Sequence, residues 1–279
     1  MGIVLGIDIG GSTTKICGFR DEGDLIQPLS VKADDPVSSV YGAFGKFTSL
    51  YGISLSQIER IMVTGAGSSH ICEDLYGIPT EHVQEFDCIG LGGQYLAKLE
   101  EAVVVSMGTG TALVHVKGDD MQYLGGTGVG GGTLFGLSET MLGVRDIDNL
   151  EALAENGDIS KVDLRISDIS KKSLSPTLDL DTTASNFGKL SDLATREDLA
   201  LGIINLVFET IGMVSVFAAR AFGVSNVVLT GKLSVMKKAR TVFGTLGKMF
   251  GMEFLFPENA RYGTVIGAAL LHFHKLRNK

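Results

Sequence analysis

The residues nearest the N-terminus that could do chemistry are Asp8 and Lys15, with Ile9, Gly10, Gly11, Ser12, Thr13 and Thr14 between them. An acidic residue late in an apolar run, followed by glycines, hydroxyls and a lysine, suits a polyphosphate. The glycines let the backbone approach without a Cβ in the way, and the hydroxyls, backbone N–H groups and Lys15 donate to the phosphate oxygens. A bare carboxylate beside phosphate would be repelled, so Asp8 would face it through a metal ion. Taken alone, the pattern is equally that of a β-hairpin with a tight Gly-Gly turn. The rest of the chain has to decide.

Three further stretches carry related chemistry. Gly108-Thr109-Gly110-Thr111 is a second Gly/Thr turn between apolar runs. Gly125 to Gly132 reads G-G-T-G-V-G-G-G, too flexible for the interior of a strand or helix, and a helix from Thr133 to Met141 follows it. A glycine run opening a helix is a phosphate site by geometry, because first-turn N–H groups are unpaired and the helix dipole favours an anion. The competing reading is a flexible linker. Gly231 and Lys232 follow a strong apolar strand and read as a site for the nucleoside end of a nucleotide. Glu85 and Asp87 flank Phe86 in a segment read as extended, and without further information Glu85 is an ordinary solvated loop residue.

These residues need elements to position them. Val4 to Ile9 and Thr14 to Phe19 read as strands joined by the first turn, with a charged turn at Asp21 to Asp24. Pro36 to Leu50 has helical spacing, and Ile58 to Val63 is a strand running into a two-glycine loop at Gly65 and Gly67. Helices are predicted over Ser68 to Tyr76, Ile89 to Leu99, Asn149 to Asn156, Leu199 to Ala221 and Gly263 to Leu276. Ala102 to Met107 and Ala112 to Lys117 repeat the first hairpin, and Val227 to Thr230 is a further buried strand. Two hydroxyl-rich hairpins facing each other across a cleft are what a two-lobed nucleotide-binding fold requires. Ser160 to Asp181, with Pro176, reads as an exposed excursion.

Composition narrows the class. The chain has 279 residues, 44% of them hydrophobic, with 37 glycines and five prolines, as expected of an α/β protein rich in tight turns. A formal charge of -8 argues against a nucleic-acid surface. Cys17, Cys72 and Cys88 are too few and too scattered for a disulfide framework or a zinc site, and the five histidines lack metal spacing. With no leader pattern and no uninterrupted apolar run of about 18 residues, a cytoplasmic protein without a membrane partner is expected.

Together the motifs resemble the actin, Hsp70 and sugar kinase superfamily, and within it the type II pantothenate kinases. The resemblance spans nearly the whole chain and rests on G-I-D-I-G-G-S-T-T-K at 6–15, E-F-D at 85–87, G-T-G-T at 108–111, the glycine run at 125–132 and A-S-N-F-G at 184–188. E-F-D together with A-S-N-F-G is the narrower part of it. The resemblance implies a two-lobed actin-like ATPase fold with ribonuclease H-like lobes, divided as residues 1–99 and 100–279. It implies ATP and Mg2+ as cofactors, pantothenate or a relative such as pantetheine as acceptor, and a homodimer, with Leu199 to Ala221 a possible seam.

It also implies roles. Glu85 would be the general base for the acceptor hydroxyl, with Asp87 a neighbour that could replace it. Asp8 would hold Mg2+ through water, and Ile9 to Lys15 would cradle the phosphates. Thr109 would straddle ATP and acceptor, Gly130, Gly131, Gly132, Thr133, Leu134 and Phe135 would hold phosphate, and Ala112 and Tyr123 would line the acceptor site. Tyr123 is a departure, because the resembling enzymes commonly place there an arginine that contacts pantothenate; Arg145 is the alternative source of that charge. Asn186 and Phe187 read as packing. A catalytically silent nucleotide-binding protein of the same fold is the other class to test.

Overall fold

The computed structural model describes residues 2–11, 13–32, 35–172 and 179–277, so Ser12 and Pro176 lie outside the described residues. A first mixed sheet contains β1 (Ile3–Ile9), β2 (Thr14–Phe19), β3 (Leu25–Val31), β4 (Ile58–Thr64) and β5 (Thr80–His82) in the order β3-β2-β1-β4-β5. β1 is buried at every position, as the central strand of a sheet covered on both faces must be. It pairs antiparallel with β2 and parallel with β4, so the carboxyl ends of β1 and β4 lie side by side. One face is covered by α1 (Pro36–Tyr51), which starts where the Asp35 carboxylate accepts from Ser38 N at 2.6 Å and stops at left-handed Gly52. Val40, Phe44 and Phe47 of α1 pack there on Leu5, Ile7, Ile9 and Ile16.

α2 (Glu85–Ala97) leads to the second sheet, which repeats the plan. Its strands β6 (Glu101–Met107), β7 (Thr111–Lys117) and β8 (Asp120–Thr127) form an antiparallel meander. Then come α3 (Gly131–Leu142), α4 (Ile147–Ala154), a small sheet of β9 (Leu164–Arg165) and β10 (Thr183–Ser185) flanking α5 (Ile166–Ile169), and α6 (Arg196–Ala221). β11 (Asn226–Thr230), α7 (Lys237–Phe250), β12 (Glu253–Leu255) and α8 (Gly263–Arg277) complete the chain. The sheet order β12-β11-β6-β7-β8 mirrors that of the first sheet, with β11 parallel to β6 as β4 is to β1. The result is the two-lobed actin-like fold.

α6 buries Ile203, Ile204, Val207, Phe208 and Ile211 against the second sheet and α7. Among the described residues it is the one helix long and apolar enough to cross a membrane, with mean hydropathy 1.9 over its best window. Asn205 and Glu209 interrupt the apolar run without lowering its average, and the helix spends the apolar face on its own core.

α2 and α8 lie between the sheets and cross through glycines. A Cβ on Gly92 would come to 1.9 Å from Gly263 O, and one on Gly267 to 1.9 Å from Cys88 O. α8 also packs on β1, β2 and β4, with Val265 and Ala269 against Gly6. α8, which falls in the half expected as residues 100–279, thus packs on the first sheet, while α2, in the half 1–99, also packs on β6 and β7.

Other local expectations needed correction. The segment read as extended from Val83 to Asp87 contains the first turn of α2, and the helix read over Ser68 to Tyr76 is a 3-10 turn at Ala66–His70 followed by irregular chain. β8 runs through Gly125 to Thr127, inside the stretch considered too flexible for a strand. The pairing of β8 with β7 holds those glycines, and a Cβ on Gly126 would come to 2.2 Å from Thr111 O.

Candidate active site

Asp8 and Lys15 face each other across the β1/β2 register, and Lys15 Nζ lies 2.9 Å from Asp8 Oδ2. Both side chains are largely buried, so the pair is a fixed charge at the carboxyl end of β1. The neighbouring strand ends in Thr64-Gly65, where Gly65 has φ +88 and a Cβ would sit 2.7 Å from Asp8 Oδ1. Only glycine permits that approach. The second sheet repeats the device: Thr230-Gly231 ends β11, Gly231 has φ +87, and a Cβ there would come to 2.5 Å from Met107 O. A 3-10 turn follows in each case, at Ala66–His70 and at Lys232–Val235. Sequence reading noticed each glycine but not the repeated Thr-Gly dipeptide, the signal that ties them together.

Glu85 opens α2 after Thr64 Oγ1 donates to Val83 O at 3.1 Å, which fixes where the chain enters the helix. Its acidic first turn, Glu85 and Asp87, complements the helix dipole. Glu85 borders a pocket of about 300 Å3 together with Thr64, Ser68, His82 and Gln84. The side chain keeps contact with solvent, yet the surrounding protein desolvates its carboxyl enough to raise the pKa above the ordinary carboxylate range. The charge of Asp8 raises it further and that of Lys15 opposes the rise, which places Glu85 within electrostatic reach of the first turn.

The structure brings together some expected site residues and not others. Thr14 is buried, its hydroxyl 2.5 Å from that of Ser39 on α1, and Ile9 and Leu134 are core side chains. None of these three side chains can reach a phosphate. Gly10 N donates to Thr13 O at 3.1 Å, closing the first turn on itself. Gly131 N and Gly132 N, expected to be unpaired, donate to Gly108 O at 2.9 Å and Thr109 O at 2.8 Å. The glycine run thus docks α3 onto the β6/β7 turn, and a Cβ on Gly130 would come to 2.7 Å from Thr109 O. Thr133 Oγ1 accepts from Gly130 N and donates to Gly128 O. Phe135 and Thr109 are exposed at this edge.

Gly231 N donates to Ala260 O, so the loop before α8 packs against the expected nucleoside site, with Lys232 exposed beside it. Ala112 packs among the apolar residues beneath α2. Tyr123 stacks on Phe86, with ring centroids 3.8 Å apart and planes 14° apart. A bulge beside it, where Leu124 has no partner between Tyr123 and Gly125, re-aims that part of β8. Sequence reading had not assigned Phe86 a role. Arg145 is exposed and ion-paired to Glu139 at 2.8 Å.

The fit to a metal is that of one carboxylate. Among the described residues no cluster of three His, Cys, Asp or Glu could hold an ion alone. A buried single carboxylate fits Mg2+, which keeps its waters and shares itself with substrate phosphates.

Comparison with known proteins agrees with this geometry. The Fumble family model matches residues 100–254. The type II pantothenate kinase of Staphylococcus aureus (strain USA300) is 29% identical over 279 residues, covering 96% of this chain and 98% of that protein. The activator of the 2-hydroxyisocaproyl-CoA dehydratase from Clostridium difficile, solved with bound ADPNP, superposes with a TM-score of 0.69 at 17% identity, covering 99% of this chain and 96% of that one. A ROK family glucokinase from Streptomyces griseus in complex with glucose and AMPPNP gives a TM-score of 0.61 at 13% identity, covering 97% and 99%. At those identities the two structures speak for the fold alone. The family model and the near full-length match agree on the kinship: the chain belongs to the Fumble family, as a relative of the type II pantothenate kinases.

Proposed function

We propose that the protein transfers the γ-phosphoryl group of ATP to the primary hydroxyl of pantothenate or of an uncharged relative such as pantetheine, with Glu85 as general base. The observation that carries this reading is the position of Glu85: it opens α2 at the pocket, with its carboxyl pKa raised, within electrostatic reach of Asp8 and Lys15. Phosphoryl transfer asks the protein for positioning and charge neutralisation more than for covalent chemistry. Asp8 would hold Mg2+, which supplies charge neutralisation at the phosphates. Lys15 would exchange Asp8 for the β- and γ-phosphate oxygens, with backbone donors from Gly11 to Thr13 beside it. Thr109 would cover the transferred group from the second lobe, and Gly231 and Lys232 would take the nucleoside end. For Gly130 to Phe135 the role becomes a support that fixes the β6/β7 turn.

The test is an assay with Mg-ATP against pantothenate, pantetheine and a panel of sugars, expecting phosphorylated product on the pantoyl compounds and none on the sugars. ADP formation only with a sugar would reassign the acceptor class. We place the protein in the cytoplasm, without membrane or nucleic-acid partner, and as a homodimer. Phe217, 60% exposed on α6, and the part-buried Met213 form an apolar edge suited to a second copy. Light scattering at micromolar concentration should give twice the 29.6 kDa chain mass, and the chain mass alone would reject the dimer.

A further inference from the structure

We propose that Tyr123 is a positioning residue for Glu85: its ring, stacked on Phe86, ties the first turn of α2 to the second sheet and so sets where the Glu85 carboxylate stands. The proposal rests on the reading of Glu85 as general base and deepens it.

A helix that begins with the base of a reaction needs its first turn fixed, because the carboxylate moves with the backbone that carries it. Glu85 does not fix itself. The influences on its carboxyl are burial and the charges of Asp8 and Lys15, with no hydrogen bond among them. Nor does a cap fix the turn: Gln84 stands at the N-cap position, and its side chain accepts from no N–H of the helix. Gln84, Glu85 and Phe86 are all exposed, and the buried part of α2 starts only at Cys88.

Two contacts fix the turn instead, one on each side of Glu85. Upstream, Val83 N donates to Val63 O at 2.9 Å and Val83 O accepts from Thr64 Oγ1 at 3.1 Å, so the chain is tied to β4 in the first sheet. Downstream, the Phe86 ring lies on that of Tyr123, so the same turn is tied to β8 in the second sheet. The unpaired Leu124 bends β8 beside Tyr123, the local kink by which a bulge re-aims a side chain. Glu85 therefore stands between a tie to each sheet, and its place depends on both.

The stack does not hold up a core. Phe86 is 37% and Tyr123 47% exposed, and the Tyr123 hydroxyl has no hydrogen-bond partner among the described residues. Two rings kept partly in water, face to face, hold a turn in place rather than fill a void. Truncating one should cost position more than stability.

The experiment follows ADP release by the full chain over a range of Mg-ATP and acceptor concentrations, with pantothenate and, in parallel, pantetheine as acceptor. Tyr123→Ala should lower kcat by ~10-fold to 100-fold, the range that a misplaced group costs, with KM for ATP and the rise in Tm on adding Mg-ATP as in the unaltered chain. Phe86→Ala should give the same loss and guards against misfolding of the first variant. Combining the two should cost no more than either, since each removes the same contact. Tyr123→Phe keeps the ring and should recover most of the turnover. In a Glu85→Gln background Tyr123→Ala should cost nothing further, because the ring acts through the carboxylate. A loss by Tyr123→Phe as large as that by Tyr123→Ala, seen as a raised KM for the acceptor, would overturn the proposal and make the hydroxyl a direct contact of the acceptor. The same loss with and without Glu85, or no loss in either alanine variant, would also overturn it. Normal turnover by Glu85→Gln would reject the base and the proposal with it. Turnover of neither acceptor by the unaltered chain, with Mg-ATP still raising Tm, would reject the phosphoryl-transfer reading itself.

Discussion

A carboxylate that takes a hydroxyl proton must be ionised at the working pH and still basic enough to accept it. Desolvation and the Asp8 charge move Glu85 in that direction, with Lys15 limiting the rise. Glu85→Gln should fold, bind ATP as before and lose phosphoryl transfer by about 100-fold or more. In the unaltered chain kcat/KM should fall as pH drops through the Glu85 pKa, which lies above the ordinary 4.5, because the protonated acid cannot accept the proton. Near-normal turnover by the glutamine variant would move the base to Asp87. Asp8→Asn should weaken use of Mg-ATP and raise the Mg2+ needed for half-maximal rate; an unchanged Mg2+ dependence would remove Asp8 from that role. Asp8 and Lys15 stood out in the sequence by type and by their spacing about a glycine turn, and the structure sets them 2.9 Å apart. That Thr14 turns away was legible too, from the two-residue period of β2: Thr14 shares the α1 face with Ile16, whereas Lys15 shares the other face with Cys17.

At the scale of elements, the start of α6 shows how a helix is anchored in a lobe. Thr195 and Asp198 form a capping box, and the Asp198 carboxylate also accepts from Asp158 N at 2.7 Å, tying the helix to the preceding loop. Burial would push the Asp198 pKa up, but N–H donation from Thr195 and Asp158, the Thr195 hydroxyl and Lys161 outweigh it and hold the group at about 2. The folded pKa lies below the ordinary 3.8, so the stability this group contributes is present above that value and is lost as pH falls toward 2. Asp198→Ala should cost about 2 kcal/mol in urea denaturation near neutral pH, since it removes a cap and leaves a buried N–H unpaired. The deficit should shrink between about pH 4 and pH 2, and a constant deficit would place the effect in packing. The cap was readable as T-x-x-D at 195–198, but the predicted helix began at Leu199, where the apolar pattern starts. The glycine run at 125–132 was readable as special and misread in cause. Periodicity cannot show that Gly130 to Gly132 are small because another turn lies against them.

For the whole molecule, the duplicated sheets could be read from two Gly/Thr hairpins, but the crossing of α2 and α8 could not, because which glycines meet is a long-range fact. Gly92 meets Gly263, and Gly267 meets Cys88 and Gly92, so the helices that join the lobes touch backbone to backbone. Gly267→Ala places a methyl against a carbonyl and an amide that are held by their own helix and cannot rotate away. It should destabilise by about 3 kcal/mol or more, at the upper end of overpacking costs. Gly45→Ala is the matched control: it lies inside α1, is exposed, and a Cβ there meets nothing within 4 Å. There the same substitution should stabilise by about 0.5–1 kcal/mol, through helix propensity and a less flexible unfolded chain. Because α8 also packs on β1, with Val265 and Ala269 against Gly6 two residues before Asp8, Gly267→Ala should further reduce kcat in the fraction that remains folded, whereas Gly45→Ala should leave kcat unchanged. Urea denaturation and turnover measured on both variants decide the matter. If Gly267→Ala were tolerated as well as Gly45→Ala, the lobes would be joined by a contact loose enough to open around a methyl group, and the backbone crossing would not be what sets their spacing.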